Sequence, residues 1–139
     1  MATKSKSKSK TAKKTRPASS IVWFEIPADD LGRARKFYGA LFGWKMQKFP
    51  GPMEYWHVNT GGPEASPDGG MMKRQNPGQQ GITNYLSVAS VDKSAKKVEA
   101  LGGKICMGKT PVPSMGYFVV CQDTEGNMFA LWEHNAKAK

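Results

Sequence analysis

A duplication constrains this chain more than any other feature. The stretch IVWFEIPADDLGRARKFYGALFGW, residues 21–44, returns in weaker form sixty positions later as GITNYLSVASVDKSAKKVEALGGK, residues 81–104. With that shift Ile26 falls on Leu86, Ala28 on Val88, Lys36 on Lys96, Ala40 on Ala100, Leu41 on Leu101 and Gly43 on Gly103. The matches fall where packing and capping demand them, so the sequence predicts two similar modules.

In the first copy, residues 21–27 alternate. Phe24 and Ile26 point one way, Trp23 and Glu25 the other, which predicts a strand occupied on both faces or lining a cavity. Asp29 or Asp30 can cap the helix that follows by accepting bonds from its free amides. Leu31, Ala34, Phe37, Tyr38 and Leu41 follow helical spacing and are expected inward, with Arg33, Arg35 and Lys36 on the wet face. Gly43 supplies a left-handed end. Two further strands are expected at 44–48 and 53–59, joined by the turn FPGP. The loop GGPEASPDGG and a short fourth strand at 70–74 complete the copy. QNPGQQG has no apolar residue and reads as a linker.

In the second copy, Thr83, Tyr85 and Ser87 take the face held earlier by Trp23 and Glu25. Asp92 is the expected helix cap, with Ala95, Val98 and Leu101 inward. Strands follow at 104–108, 116–122 and 127–133, the last two joined by the turn DTEGN. TPVPS, residues 110–114, is expected as a loop because proline cannot feed a ladder in mid-sheet. The organisation is thus a basic tail at 1–19, a first module at 20–75, a linker at 76–81 and a second module at 82–135. Each module reads strand, helix, then three strands.

Charge is unevenly spread. The formal net charge is +10 and the pI about 9.7. The first twenty residues hold seven Lys or Arg and no acid; ten minus those seven leaves +3 for the rest. With repelling charges and no apolar face, the tail is expected to be disordered. From Lys4 to Arg16 it could contact nucleic acid nonspecifically through phosphates. It has no aromatic ring on which bases would stack. No apolar run approaches the ~20 residues of a membrane span. The basic start lacks the apolar middle of a secretory signal. A cytoplasmic protein without membrane contact is expected. Cys106 and Cys121 make no disulfide framework and read as small buried apolar residues.

FEIPADDLGRARKFYGALFGW, VASVDKSAKKVEALGGK and the terminal DTEGNMFALWE together resemble the glyoxalase/bleomycin resistance/extradiol dioxygenase superfamily, also called vicinal oxygen chelate. The likeness runs from about Ile21 to Glu133 and is strongest to its small glyoxalase-like members. It implies an α+β fold, with paired βαβββ modules forming a curled mixed sheet around a cup and helices outside. It also implies a homodimer. The fold does not fix the chemistry.

Metal-using members of that superfamily chelate a divalent ion with His and Glu from the first and last strands of both modules. The matching positions here look like Trp23, Thr83, Ala130 and either Met71 or Lys73, which are poor ligands. Glu25 and Glu133 are out of register, and His57 and His134 sit elsewhere. No metal site and no cofactor are therefore expected, although Glu25, His57 and another oxygen could rebuild one. No nucleophile elbow, phosphate loop or CxxC pair is present. Cys121 beside a strand end is weak evidence for a nucleophile.

Glu25 is the candidate general acid or base, because an apolar cup would raise its pKa. The plainer alternative is a Glu held by a nearby Lys or Tyr hydroxyl. Trp23, Tyr55, Tyr85, Tyr117 and Trp132, with His57, are the candidate ligand-binding residues: aromatic rings give a flat ligand contact area, and their polar tips orient it. The expected function is metal-free binding of a small organic molecule. The alternatives are a lyase or isomerase with Glu25 as base, a metal-dependent dioxygenase, and an accessory protein tethered to nucleic acid by its tail.

Overall fold

A computed structural model describes residues 19–64, 66–75 and 81–139. The expected disorder and nucleic-acid contacts of the tail, and nearly all of the linker at 76–81, lie outside the described residues. The elements are β1 (Ile21–Ala28), α1 (Leu31–Phe42), β2 (Lys45–Lys48), β3 (Tyr55–Asn59) and β4 (Asp68–Lys73), then β5 (Thr83–Ser87), α2 (Val91–Ala100), β6 (Lys104–Val112), β7 (Gly116–Gln122) and β8 (Met128–His134). The order βαβββ occurs twice, and the fold is α+β. The helices begin at Leu31 and Val91, sixty positions apart, and each first residue is buried. The chain forms two compact units, Ile21–Tyr85 and Leu86–Lys139, the second including Ser19 and Ser20. The division falls inside β5.

In the first unit the strands lie in the order β2-β3-β4-β1. β1 runs parallel to β4, whereas β2–β3 and β3–β4 are antiparallel, so the sheet is mixed. Alternation sends Phe24 and Ile26 of β1, Trp56 and Val58 of β3, and Met71 of β4 to one face. There they pack with Leu31, Ala34 and Tyr38 of α1. Val58 and Met71 are fully buried. Burying such side chains stabilises by about 1.5–3 kcal/mol each, and this anchors the face on which α1 lies.

Asp30 caps α1, accepting from Arg33 N at 2.9 Å, and Gly43 closes it in the left-handed region at φ 74°. The inward stripe of α1 is narrower than its spacing suggests. Phe37 and Leu41, expected inward, are 59% and 58% exposed. Their place is taken by larger groups. Tyr38 stacks on Trp44 at 5.4 Å, and the Arg35 guanidinium, expected in water, lies 3.8 Å over the Trp56 ring. β4 begins two residues before the expected 70–74, because parallel pairing with β1 recruits Asp68 opposite Trp23 and Gly69 opposite Phe24.

In the second unit β6, β7 and β8 pair antiparallel. Val91 of α2 packs with Val119, Cys121 and Leu131, supported by Ala95, Val98 and Ile105. Four expectations fail here. The cap of α2 is Ser90, the repeat equivalent of Asp30, which accepts from Lys93 N at 3.1 Å. Asp92 instead sits in the first turn and pairs with Lys109 at 3.0 Å. Leu101 is 76% exposed, since α2 stops at Ala100 and Gly102 turns the chain at φ 100°. β6 continues through Pro111, opposite Tyr117. It is an edge strand, where a missing N–H faces no neighbour. Of the two cysteines, Cys121 is buried as expected and Cys106 is exposed.

Candidate functional site

The face of the first unit's sheet opposite α1 carries an unusual set of side chains. The same alternation that buries Phe24 and Ile26 turns Trp23 and Glu25 outward from that core, as it does Tyr55 and His57 on β3 and Asp68 and Gly70 on β4.

Glu25 is the centre. Tyr55 Oη donates to its Oε2 at 2.8 Å and Tyr85 Oη to its Oε1 at 2.9 Å. Trp23 Nε1 donates in turn to Tyr55 Oη at 2.9 Å. The indole therefore fixes the direction in which Tyr55 points its proton. Burial is the largest influence on Glu25 and pushes its pKa above the ordinary carboxylate value, while the two phenol bonds pull it back in part. Burial and the neighbouring Glu25 charge push the Tyr55 and Tyr85 phenols far up, so both remain donors. Among the described residues Glu25 forms no ion pair.

His57 stands beside this chain of bonds. Its ring stacks on Trp23, at 5.5 Å and 19°, and on Phe49, at 5.6 Å and 5°. Its Nε2 is hydrogen-bonded to Asp68 Oδ2 at 3.2 Å. Asp68 Oδ1 accepts from Thr60 N at 3.1 Å and Thr60 Oγ1 at 3.3 Å, which fixes the carboxylate from behind. Phe49 also stacks on Tyr55 at 5.6 Å.

Gly70 makes room for this arrangement. It lies opposite Glu25 on one side and His57 on the other. A Cβ on Gly70 would run into the Tyr55 phenol.

Five of the expected site residues thus come together: Trp23, Glu25, Tyr55, His57 and Tyr85. The plainer expectation for Glu25, a carboxylate held by tyrosine hydroxyls, describes its bonding. Tyr117 and Trp132 belong to the second unit, and the first unit's cluster forms without them. Tyr117 packs with the core under α2, with Lys109 Nζ 4.5 Å over its ring. Trp132 pairs with Phe118, and its ring covers Gly116. Sequence reading missed Phe49 and Asp68. Phe49 follows β2 in a turn, but its N–H bonds the Tyr55 carbonyl at 2.9 Å and so carries the ring onto Tyr55 and His57. Asp68 lies in what reads as a loop, and only the register of β4 brings it to the site.

The divalent metal of the superfamily needs several N or O donors around one point. The residues here do not fit it. Each Glu25 oxygen already accepts a phenol, the His57 nitrogen faces Asp68, and Met71 points into the core under α1. Among the described residues no three His, Cys, Asp or Glu side chains gather. Cys121 is no better as a nucleophile, because burial pushes its thiol up to about 11. No helix among the described residues is long and apolar enough to cross a membrane.

Comparison with known proteins agrees with this fold. The profile of the bleomycin resistance protein-like N-terminal family matches residues 20–61. A glyoxylase-like domain-containing protein of Didymella fabae is 33% identical over 120 residues, covering 80% of this chain and 91% of its own length. The anthracycline biosynthesis protein DnrV of Streptomyces peucetius is 28% identical over 124 residues; the match covers 79% of this chain and only 45% of that relative. Among solved structures, a methylmalonyl-CoA epimerase in complex with methylmalonyl-CoA aligns with a TM-score of 0.64 and 15% identity, over 88% of this chain and 99% of that one. The chain belongs to the glyoxalase/bleomycin resistance superfamily, also called vicinal oxygen chelate.

Proposed function

We propose that this protein binds a small organic molecule on the aromatic face around Glu25, without a metal ion. The observation that carries the reading is the bonding of Glu25: two phenols fix its oxygens while Trp23, Phe49 and His57 stand beside it as stacked rings. Rings held in this way offer a ligand apolar contact at little conformational cost. The carboxylate and phenols supply the few polar groups that fix a ligand's orientation.

Native mass spectrometry of protein purified from its own host tests this. The expected result is a retained organic molecule, lost in Tyr55→Phe and Glu25→Gln proteins that still fold. A stoichiometric metal ion with no organic ligand would overturn the reading. The same spectrum reports whether the protein is the homodimer that we also propose.

One observation favours a second reading, in which Glu25 is the general base of a lyase or isomerase. Its raised pKa moves it toward the range in which a carboxylate takes protons near neutral pH. Against this, the two phenol bonds stabilise the charged carboxylate and so lower its basicity. The binding reading therefore ranks first.

A further inference from the structure

Among the described residues, no cation pairs with Glu25 at the proposed site. Glu25 is drawn out of water among Trp23, Tyr55 and Tyr85, and the groups that meet its oxygens are neutral donors. Two hydrogen bonds compensate a buried carboxylate only in part, since the cost of removing a charge from water exceeds what neutral donors return. Nearby on the same face is a second carboxylate, Asp68, opposite Trp23 in the register and hydrogen-bonded to His57 Nε2. The chain carries twenty-one Lys and Arg, yet none makes an ion pair with Glu25 or Asp68 among the described residues. Among the described residues, the Lys and Arg side chains thus make no ion pair with this cluster.

The aromatic groups have the same preference. The faces of Trp, Tyr and Phe rings are electron-rich and attract a cation within about 6 Å of the ring centre, most strongly where water is excluded. Trp23 and Phe49 stack on His57, Phe49 also stacks on Tyr55, and the Tyr55 and Tyr85 hydroxyls meet Glu25, which gathers these rings beside the carboxylates. A neutral flat ligand would gain contact here but leave the Glu25 charge uncompensated. A cationic ligand gains the contact and supplies the missing charge.

We propose that the site takes an organic cation, a quaternary or protonated ammonium, seated against the Glu25 carboxylate and the rings of Trp23, Phe49 and Tyr55. This rests on the binding reading above and names the ligand class for it. Each Glu25 oxygen keeps one lone pair beyond the phenol bond, so the cation adds to the network without breaking it.

Choline and 3,3-dimethylbutan-1-ol test this. They have the same shape and differ in a nitrogen cation against a carbon. Both are titrated into the intact chain, following tryptophan fluorescence and the tryptophan side-chain N–H signals by NMR. The expected result is a preference for choline of roughly tenfold, which is about 1.4 kcal/mol. In Glu25→Gln protein that preference disappears. Equal binding, or tighter binding of the alcohol, would overturn the cation while leaving the aromatic site standing. Failure of both compounds to perturb Trp23 would overturn the proposal together with the site reading. The isostere comparison is made on the unaltered chain, so it does not depend on how any variant folds.

Discussion

Tyr85 donates its phenol proton to Glu25 at 2.9 Å, and the two residues hold equivalent places in the duplicated pattern, sixty positions apart. Duplication set the same strand position twice, and divergence made one copy a carboxylate and the other its donor. A hydrogen bond to a charged group contributes about 1.5–3 kcal/mol. Tyr85→Phe should therefore destabilise by about 1–3 kcal/mol in urea unfolding. A double-mutant cycle with Glu25→Gln should show coupling of at least about 0.5 kcal/mol. Additive effects would mean that the pair does not interact in solution.

Gly70→Ala tests the space under Tyr55. The added Cβ meets the Tyr55 phenol, so either the strand or the ring must shift. The expected cost is about 1–3 kcal/mol, with loss of the near-ultraviolet dichroism contributed by Trp23 and Tyr55. Unchanged stability and spectrum would mean that Tyr55 does not lie across β4.

The raised pKa of Glu25 makes stability depend on pH in a known direction. A carboxyl whose folded pKa lies above its unfolded value contributes stability that is fully present below the unfolded value, 4.5, and is lost as pH rises through the folded value. Glu25→Gln cannot ionise. Its melting temperature relative to the parent should therefore rise between pH 4 and pH 8. A relative melting temperature that falls over that range would mean that Glu25 gains a cationic partner on folding.

Chelation should leave the protein as it was. The donor set around Glu25 does not fit a divalent ion, so treatment with EDTA should change neither the melting temperature nor choline affinity. A loss of either that is restored by one equivalent of a divalent metal would contradict this.

The two ends of α2 should respond unequally to truncation. Val91 is fully buried and Leu101 is 76% exposed. Val91→Ala should cost about 1–3 kcal/mol, whereas Leu101→Ala should stay within about 0.5 kcal/mol. Equal costs would restore Leu101 to the core.

Much of this arrangement was legible in the residues. Alternation along β1 gives the opposite facing of Phe24 and Glu25 directly, and the repeat carries Tyr85 to the equivalent face. Helix packing was less legible. Spacing marked Phe37 and Leu41 for the core, but spacing does not know that Tyr38 and Arg35 are large enough to fill the contact by themselves. The contributions of Phe49 and Asp68 were hidden for a different reason. Both lie where turn composition suppresses the strand signal, and they reach the site through long-range pairing of β3 with its neighbours and of β4 with β1. Such pairing leaves no periodic trace. Pro111 misled because the rule against proline in a ladder holds for central strands, and β6 is at an edge.

The most direct test of a ligand site around Glu25 is an NMR titration of the tryptophan side-chain N–H groups with choline. Trp23 bonds to Tyr55 on the proposed binding face, while Trp44 and Trp56 pack with the core under α1. The Trp23 signal should move in a saturable way while those of Trp44 and Trp56 stay fixed. A stationary Trp23 signal, or movement confined to Trp44 and Trp56, would contradict the account.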